Sequence, residues 1–354
     1  MSDADALPPA YRLEGFDLAG GWHVDELIQQ PASATGGEFS ATYRASNNDQ
    51  SGSNYGQKGF LKALDYSSAL SSSDRADALR DLTMAYTHER DLIALCAERR
   101  MRHVVRGITS GQCTVPDSGE LGHVDYLILE IARSDVRNVM DQMTNRDLVW
   151  VFETLHNVAN GLRQLHGENI THQDLKPSNI LDFGTRRKIA DLGRAHCPSS
   201  VSPNDDLVIP GDRVYAPPEQ LYTYTHPDEA FRRRAADLYQ LGNLMLYLLT
   251  GMSLNATIYS HMAENHQPTH FGGSYFDVLP MLEVGFVRAQ LNLESVLLCT
   301  LVDKTVSIFT QLAQPDIRRR GILRRPNETR MCVEVEHYVS VFDRLKSDAS
   351  IAAV

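Results

Sequence analysis

The stretch Thr171–Leu181 reads T-H-Q-D-L-K-P-S-N-I-L, and Ala190–Gly193 follows it as A-D-L-G. Together they hold two acids, Asp174 and Asp191, with a lysine (Lys176) two residues and an amide (Asn179) five residues after the first. Immediately upstream, Leu148, Val151, Phe152, Leu155, Val158, Ala159, Leu162 and Leu165 recur at steps of three and four. That spacing predicts a helix over Asn145–Leu165 with one buried face, and Asn145 is suited to cap it. Downstream, Ile180–Ala190 predicts a hairpin turning at Gly184. The bland alternative, an accidental polar loop after a helix, leaves the continuing pattern on both flanks unexplained.

The D-x-K-x-x-N spacing and the second acid resemble the catalytic loop and metal-binding triplet of the eukaryotic-type protein serine/threonine kinases, and the roles that follow are taken from that family. The resemblance implies that Asp174 orients the acceptor hydroxyl, that Lys176 neutralises the migrating phosphoryl group, and that Asn179 and Asp191 hold magnesium. Asp182-Phe183-Gly184 spells the family's metal triplet too, but it starts only three residues after Asn179. It reads as a turn, and Asp191-Leu192-Gly193 has the right separation.

The likeness extends upstream more loosely. Residues 34–45 stand where the family carries its glycine-rich loop, with Gly37 at the middle glycine, Phe39 at the aromatic tip, and Thr35 and Ser40 replacing the outer glycines. Lys62, in G-F-L-K-A-L-D, matches the strand lysine that holds the nucleotide's phosphates. An ammonium in so apolar a strand is costly to bury unpaired, so Glu89 in the following helix is its expected partner; a lysine snorkelling from an edge strand is the plainer reading. Phe60 replaces a small residue beside the adenine. Leu129 then falls at the gatekeeper position, Glu130–Ala132 at the hinge whose backbone meets adenine, and Asp135 at a ribose contact.

Downstream, Gly211–Glu219 resembles the close of the activation segment, and Asp237–Thr250 the buried helix whose first acid bonds the catalytic loop; an acid opening a helix also suits its dipole. Arg318, in Q-P-D-I-R, is the expected partner of Glu219, with Arg325 as rival. Two departures stand out. Gln173 replaces the loop arginine that grips a phosphorylated segment, which predicts activity independent of phosphorylation at Ser199, Ser200 or Ser202. Asp212 replaces a threonine near the catalytic acid.

The expected fold is therefore α+β and bilobal, protein-kinase-like: a small antiparallel sheet of five strands with one main helix, then a larger, mainly helical lobe, with ATP and Mg2+ in the cleft. The lobes are expected at 22–131 and 132–347, after a loosely held lead-in over 1–21 and before a tail at 348–354. Strands are expected at Trp22–Gln29, Val104–Gly107 and Tyr126–Ile131, helix in two pieces over Asp74–Arg100, loop over Met252–Gln290, then helices at Leu291–Leu312 and Arg330–Lys346. The reaction implied is transfer of the γ-phosphoryl of ATP to a serine or threonine of a protein substrate. A nucleotide-binding scaffold without turnover and a small-molecule kinase are the alternatives. The former would account for the eroded glycine loop, yet Lys62, Asp174, Asn179 and Asp191 all survive together.

Bulk properties agree. The chain of 354 residues has a net charge of −11 and no run of eighteen apolar residues, which disfavours a general nucleic-acid binder or a membrane span. Five scattered cysteines with no C-x-x-C spacing read as a reducing, cytoplasmic setting without zinc or disulfides. The weakly matched smaller lobe marks a divergent, bacterial-like member of the family.

Overall fold

The computed structural model describes residues 7–29, 40–118, 122–325 and 327–352. The chain divides into two compact units, Met1–Ala132 with Val201–Pro203, and Arg133–Ser200 with Asn204–Val354. They are the sheet-bearing and the helical lobe of a bilobal α+β fold.

The first unit is built on an antiparallel sheet of six strands: β1 Asp17–Leu18, β2 Trp22–Leu27, β3 Ser40–Asn47, β4 Lys58–Leu64, β5 Gly107–Thr114 and β6 His123–Glu130, in spatial order β1-β2-β3-β4-β6-β5. Alternation decides the faces. Ala41, Tyr43 and Ala45 of β3 and Leu61 and Ala63 of β4 join Trp22, Val24, Tyr126 and Ile128 in one buried cluster. Lys62 and Phe60 consequently point to the other face. The described part of the lead-in, from residue 7 on, is not loose. Ala10, Leu13 and Leu18 enter the same cluster, and the Tyr43 hydroxyl donates to Ala10 O at 2.6 Å while accepting the Leu13 N–H at 3.2 Å. Three apolar side chains at helical and extended spacings, together with a buried phenol needing partners, outweigh the acidic and proline-containing composition. The docked segment also supplies β1, which makes six strands where five were expected.

A short helix, α1 Ser67–Leu70, falls in the serine-rich stretch 67–73, and α2 Arg75–Glu98 follows as one unbroken helix rather than two pieces. No glycine or proline interrupts it, and the Asp74 side chain caps it by accepting the Asp77 N–H. Strand β5 begins at Gly107, where the strand read over Val104–Gly107 was expected to end. Val104 and Val105 are buried, so their β-branched character serves packing in the approach to the strand.

The second unit pairs β7 Ser134–Asp135, β8 Ile180–Asp182 and β9 Arg187–Ile189 into a small sheet, and otherwise consists of helices: α3 Val136–Gln142, α4 Leu148–Gly167, α5 Pro218–Leu221, α6 Glu229–Thr250, α7 Leu254–Tyr259, α8 Tyr275–Val296, α9 Cys299–Ala313 and α10 Glu336–Ala352. Helix α6 is buried along most of its length and packs against α4, α8 and α9, the environment that its near-continuous apolar sequence requires. It ends at Gly251, whose φ of 81° is the left-handed conformation of a helix C-cap.

Several boundaries of this unit differ from expectation. Helix α4 is capped by Asp147, whose carboxylate accepts the Val149 and Trp150 N–H groups, and not by Asn145. Helix α8 starts at Tyr275, inside the stretch read as loop, because Ser274 and Asp277 form a reciprocal capping box that starts the helix despite Pro280. The chain then breaks at Leu297 and Leu298 instead of running on as one helix. Helix α10 begins at Glu336; the residues before it are not helical, with Cys332 bridged to Ile322. No helix among the described residues is long and apolar enough to cross a membrane.

Candidate active site

In the first unit Lys62 lies on β4 between β3 and β6, opposite Thr42 and Leu127. The strand is interior, so the edge-strand reading falls. Its Nζ stands 2.9 and 2.8 Å from the two carboxylate oxygens of Glu89. Glu89 shares the buried stripe of α2 with Tyr86, Leu92, Ile93 and Cys96, and a carboxylate in that position needs a cation. Phe60 is paired in register with Arg44 and Leu129. It shares the sheet face of Lys62, two residues away. Ser40 opens β3 and is buried. Gly37 and Phe39 lie outside the described residues, as does Thr35.

Glu130 closes β6. Its side chain accepts the Arg106 N–H at 2.7 Å and its own N–H donates to Arg106 O at 3.0 Å, which fixes the strand end leading to Ala132.

In the second unit the catalytic loop hangs from α6. The fully buried Asp237 accepts the backbone N–H groups of His172 and Gln173 at 2.9 and 2.8 Å, the Gln173 Nε2 at 3.1 Å, and a bond from His166 Nε2 at 2.8 Å. One turn on, Gln240 accepts the Leu175 N–H and donates to Gln173 O, both at 2.9 Å. Because α6 begins at Glu229, Asp237 lies two turns inside the helix, and the helix-dipole reading of this acid does not apply. The sequence reading passed over His166 and Gln240. Their signal was a polar pair, Asp237 and Gln240, three apart on an apolar helix.

The side chains expected to carry chemistry converge within this loop. Asp174 Oδ2 is 3.1 Å from Lys176 Nζ and 3.1 Å from Asn179 Nδ2, and the same amide nitrogen donates to Asp174 O at 2.9 Å. Asp174 Oδ1 accepts the Asp212 N–H at 2.7 Å. Burial pushes the Asp174 carboxyl above the ordinary carboxylate range; Lys176 and the Asp212 N–H pull the other way, and the negative charge of Asp191 adds to the rise. The β8–β9 hairpin returns Asp191 to the loop, since Ala190 bonds through its N–H to Asn179 O at 2.8 Å and through its carbonyl to the His172 ring at 3.0 Å. Gln173 and Asp191 hold positive φ angles of 64° and 62°. Such conformations cost about 1 kcal/mol or more each in a non-glycine residue, and persist where neighbours over-determine them. Asp182, read as a turn residue, is instead the last residue of β8, where it accepts the Gly184 N–H of the turn and pairs with Arg187. Asp135 caps α3 through the Asn138 N–H at 2.9 Å and also takes the Asn138 side-chain amide at 2.6 Å.

The segment after Asp191 is tied down by charge. His196 Nδ1 is 2.6 Å from Asp205 Oδ1, and Arg233 of α6 donates to Asp205 O at 3.1 Å. Gln173 Nε2 in turn donates to Arg233 O at 2.9 Å. Gly211 passes so close to the loop that a Cβ there would lie 2.4 Å from Gln173 O. The segment closes on Glu219, whose two oxygens meet Arg320 at 2.7 and 2.8 Å in full burial. The partner is thus neither Arg318, which folds back on Asp316 at 2.8 Å, nor Arg325. Arg320 is selected because its side chain enters the core over the Tyr239 ring and also donates to Gln314 O and Ala235 O.

The catalytic-type loop and the buried helix that suspends it both lie within the stretch that the family comparison finds. The protein kinase domain matches residues 84–274, more than half of the chain, and the chain belongs to that family. It is similar to extracellular signal-regulated kinase 7 of Drosophila melanogaster, 35% identical over 133 residues, which is 37% of this chain and 14% of that protein. Mitogen-activated protein kinase kinase kinase 8 of Rattus norvegicus is 32% identical over 113 residues, 31% of this chain and 21% of that protein. "Probable serine/threonine-protein kinase pknA2" of Bifidobacterium longum is 30% identical over 142 residues, 39% and 18%. The matches thus span about a fifth or less of these three relatives' own lengths.

Proposed function

We propose that this chain is a protein serine/threonine kinase that transfers the γ-phosphoryl of ATP to a protein hydroxyl. The observation that carries the reading is the grouping of Asp174, Lys176 and Asn179 within 3.1 Å contacts, with Asp191 brought back beside them. Asp174 orients the acceptor hydroxyl and takes its proton as the new oxygen–phosphorus bond forms and the bond from the γ-phosphorus to the bridging oxygen of the leaving ADP breaks. Lys176 lies beside the transferred group and offsets its charge. In the first unit Lys62, held by Glu89, binds the α- and β-phosphates, and the backbone at Glu130 and Ala132 meets adenine; Gly37, Phe39 and Ser40 are assigned to the phosphates, and Asp135 of the second unit to the ribose, by the resemblance alone.

The donor set suits magnesium. Both hydrogen bonds of the Asn179 amide use Nδ2, which leaves its Oδ1 for a cation, and Asp191 adds a carboxylate; Mg2+ takes few protein oxygens and completes its shell with phosphates and water. When bound, the ion neutralises phosphate charge. The residues' own contribution is positioning and electrostatic stabilisation, so removing any one should lower turnover by orders of magnitude.

We further propose that activity needs no phosphate on the activation segment. Gln173 is spent on Asp237 and Arg233, and the Asp205 carboxylate already engages His196 in the segment. Replacing Ser199, Ser200 and Ser202 together with alanine should leave turnover within a few-fold; a collapse would refute this. The founding test is label transfer from γ-labelled ATP with magnesium to a generic protein substrate, beside Asp174→Ala. Label that vanishes in the variant, with the thermal transition kept, supports the kinase. Substantial residual transfer would sink the role of Asp174, and nucleotide binding without any transfer would make the chain a binding module.

A further inference from the structure

We propose that Asp212 is an acceptor-selecting residue, and that the hydroxyls this enzyme phosphorylates are flanked by lysine or arginine. The inference rests on the kinase reading above and adds a substrate class to it.

Asp212 is fixed from several sides. Its N–H donates to Asp174 Oδ1 at 2.7 Å, its carbonyl accepts the Tyr215 N–H at 3.0 Å, and its Oδ1 accepts the Val214 N–H at 2.9 Å. The remaining oxygen, Oδ2, faces Lys176 Nζ at 3.5 Å. That ammonium is closer to Asp174, at 3.1 Å, and among the described residues it is the sole ion-pair partner of Asp212. One cation therefore serves two carboxylates, and one negative charge is left over. Arg213, the next residue in the chain, is exposed and makes no ion pair with Asp212 among the described residues, and the charge of Arg137 bears on the Tyr215 phenol. The Asp212 side chain retains 16% exposure, and Val214, two residues on, is half exposed. The surplus charge thus meets solvent in the segment that touches the catalytic acid through its backbone.

A neutral side chain at this position could hold Asp174 equally well, because that bond comes from the backbone, and Lys176 would keep its closer partner Asp174 at 3.1 Å. What the carboxylate adds is field. A cationic residue next to the acceptor hydroxyl completes the charge balance, whereas an acidic one meets repulsion from a fixed carboxylate that cannot withdraw. A partly buried charge is screened less than a surface one, yet some loss with added salt is expected.

The test uses the full chain and three peptides with the same central serine, whose neighbouring residues are arginine, leucine or glutamate, for wild type, Asp212→Asn and Asp212→Thr. The wild type should favour the arginine peptide over the glutamate peptide by about tenfold or more in kcat/KM, carried mainly by KM. Both variants should cut that ratio several-fold without changing the KM for ATP, and Glu294→Gln, an exposed acid on α8, should leave it unchanged. Rising salt should compress the wild-type ratio and barely move the variants'. Equal ratios in wild type and Asp212→Asn would overturn the proposal while leaving the kinase intact. Absence of any label that depends on Asp174 would overturn both.

Discussion

Glu219 and Arg320 are 101 positions apart in the chain and are both removed from water. Taking either away strands the other charge in the core, so Arg320→Ala or Glu219→Ala should cost about 3–5 kcal/mol. Arg318→Ala should cost about 1 kcal/mol or less, because that guanidinium is mostly exposed and reaches only Asp316. Urea melts of the two arginine variants side by side check the assignment; equal losses would contradict it. Asp316 supplies a pH signature. Burial would raise its carboxyl, but the Arg318 side chain and backbone N–H hold it below the ordinary range. Its contribution is therefore present above the ordinary carboxylate pKa and disappears as pH falls through the lowered value. Asp316→Asn should soften the acid limb of the stability curve by removing this group's share of it, which acid titration of the melting temperature checks. The cluster 318–325 shows why such details escape a reading of residues: five arginines in eight positions are chemically equal, and only burial over Tyr239 tells Arg320 apart. Asp174, Lys176, Asn179 and Asp191 were different, because their spacing is set by chemistry along a short loop.

At the level of elements, the helix with a clean apolar stripe was readable and its ends were not. Asp147 accepts two N–H groups at the start of α4, so Asp147→Ala should lower stability by about 1 kcal/mol, whereas Asn145→Ala should change little; thermal melts separate them. Gly251 carries a φ of 81°, and Gly251→Ala should cost about 1 kcal/mol through that conformation. The start of α6 was missed by two turns because Glu229, Arg232, Arg233 and Arg234 look like surface chain, although Arg233 is buried against the activation segment. Helix α8 was hidden by Pro280, and β1 by its length of two residues, too short for alternation to show. Strand β4 was plain because a lysine amid apolar residues demanded an acid, and α2 supplied one. Glu89→Gln should therefore reduce transfer at least about tenfold with little change in melting temperature.

For the molecule as a whole, two lobes followed from motif order, whereas the docking of residues 9–18 onto the sheet did not, since composition alone favours a free end. Truncating residues 1–18 removes Ala10, Leu13 and Leu18 from the core and leaves the Tyr43 hydroxyl unpartnered. Such a truncation should destabilise the first unit by several kcal/mol, visible as an earlier melt. The suspension of the catalytic loop from Asp237 and Gln240 has a consequence in time. The amides of His172, Gln173 and Leu175 are bonded to side chains in the middle of α6, so they can meet deuterium only when that helix opens. A loop by its irregular backbone, it should exchange as slowly as the most protected helix of its unit. Heat should then take away turnover and the helical lobe's cooperative fold at one temperature, with no folded but idle state on the way.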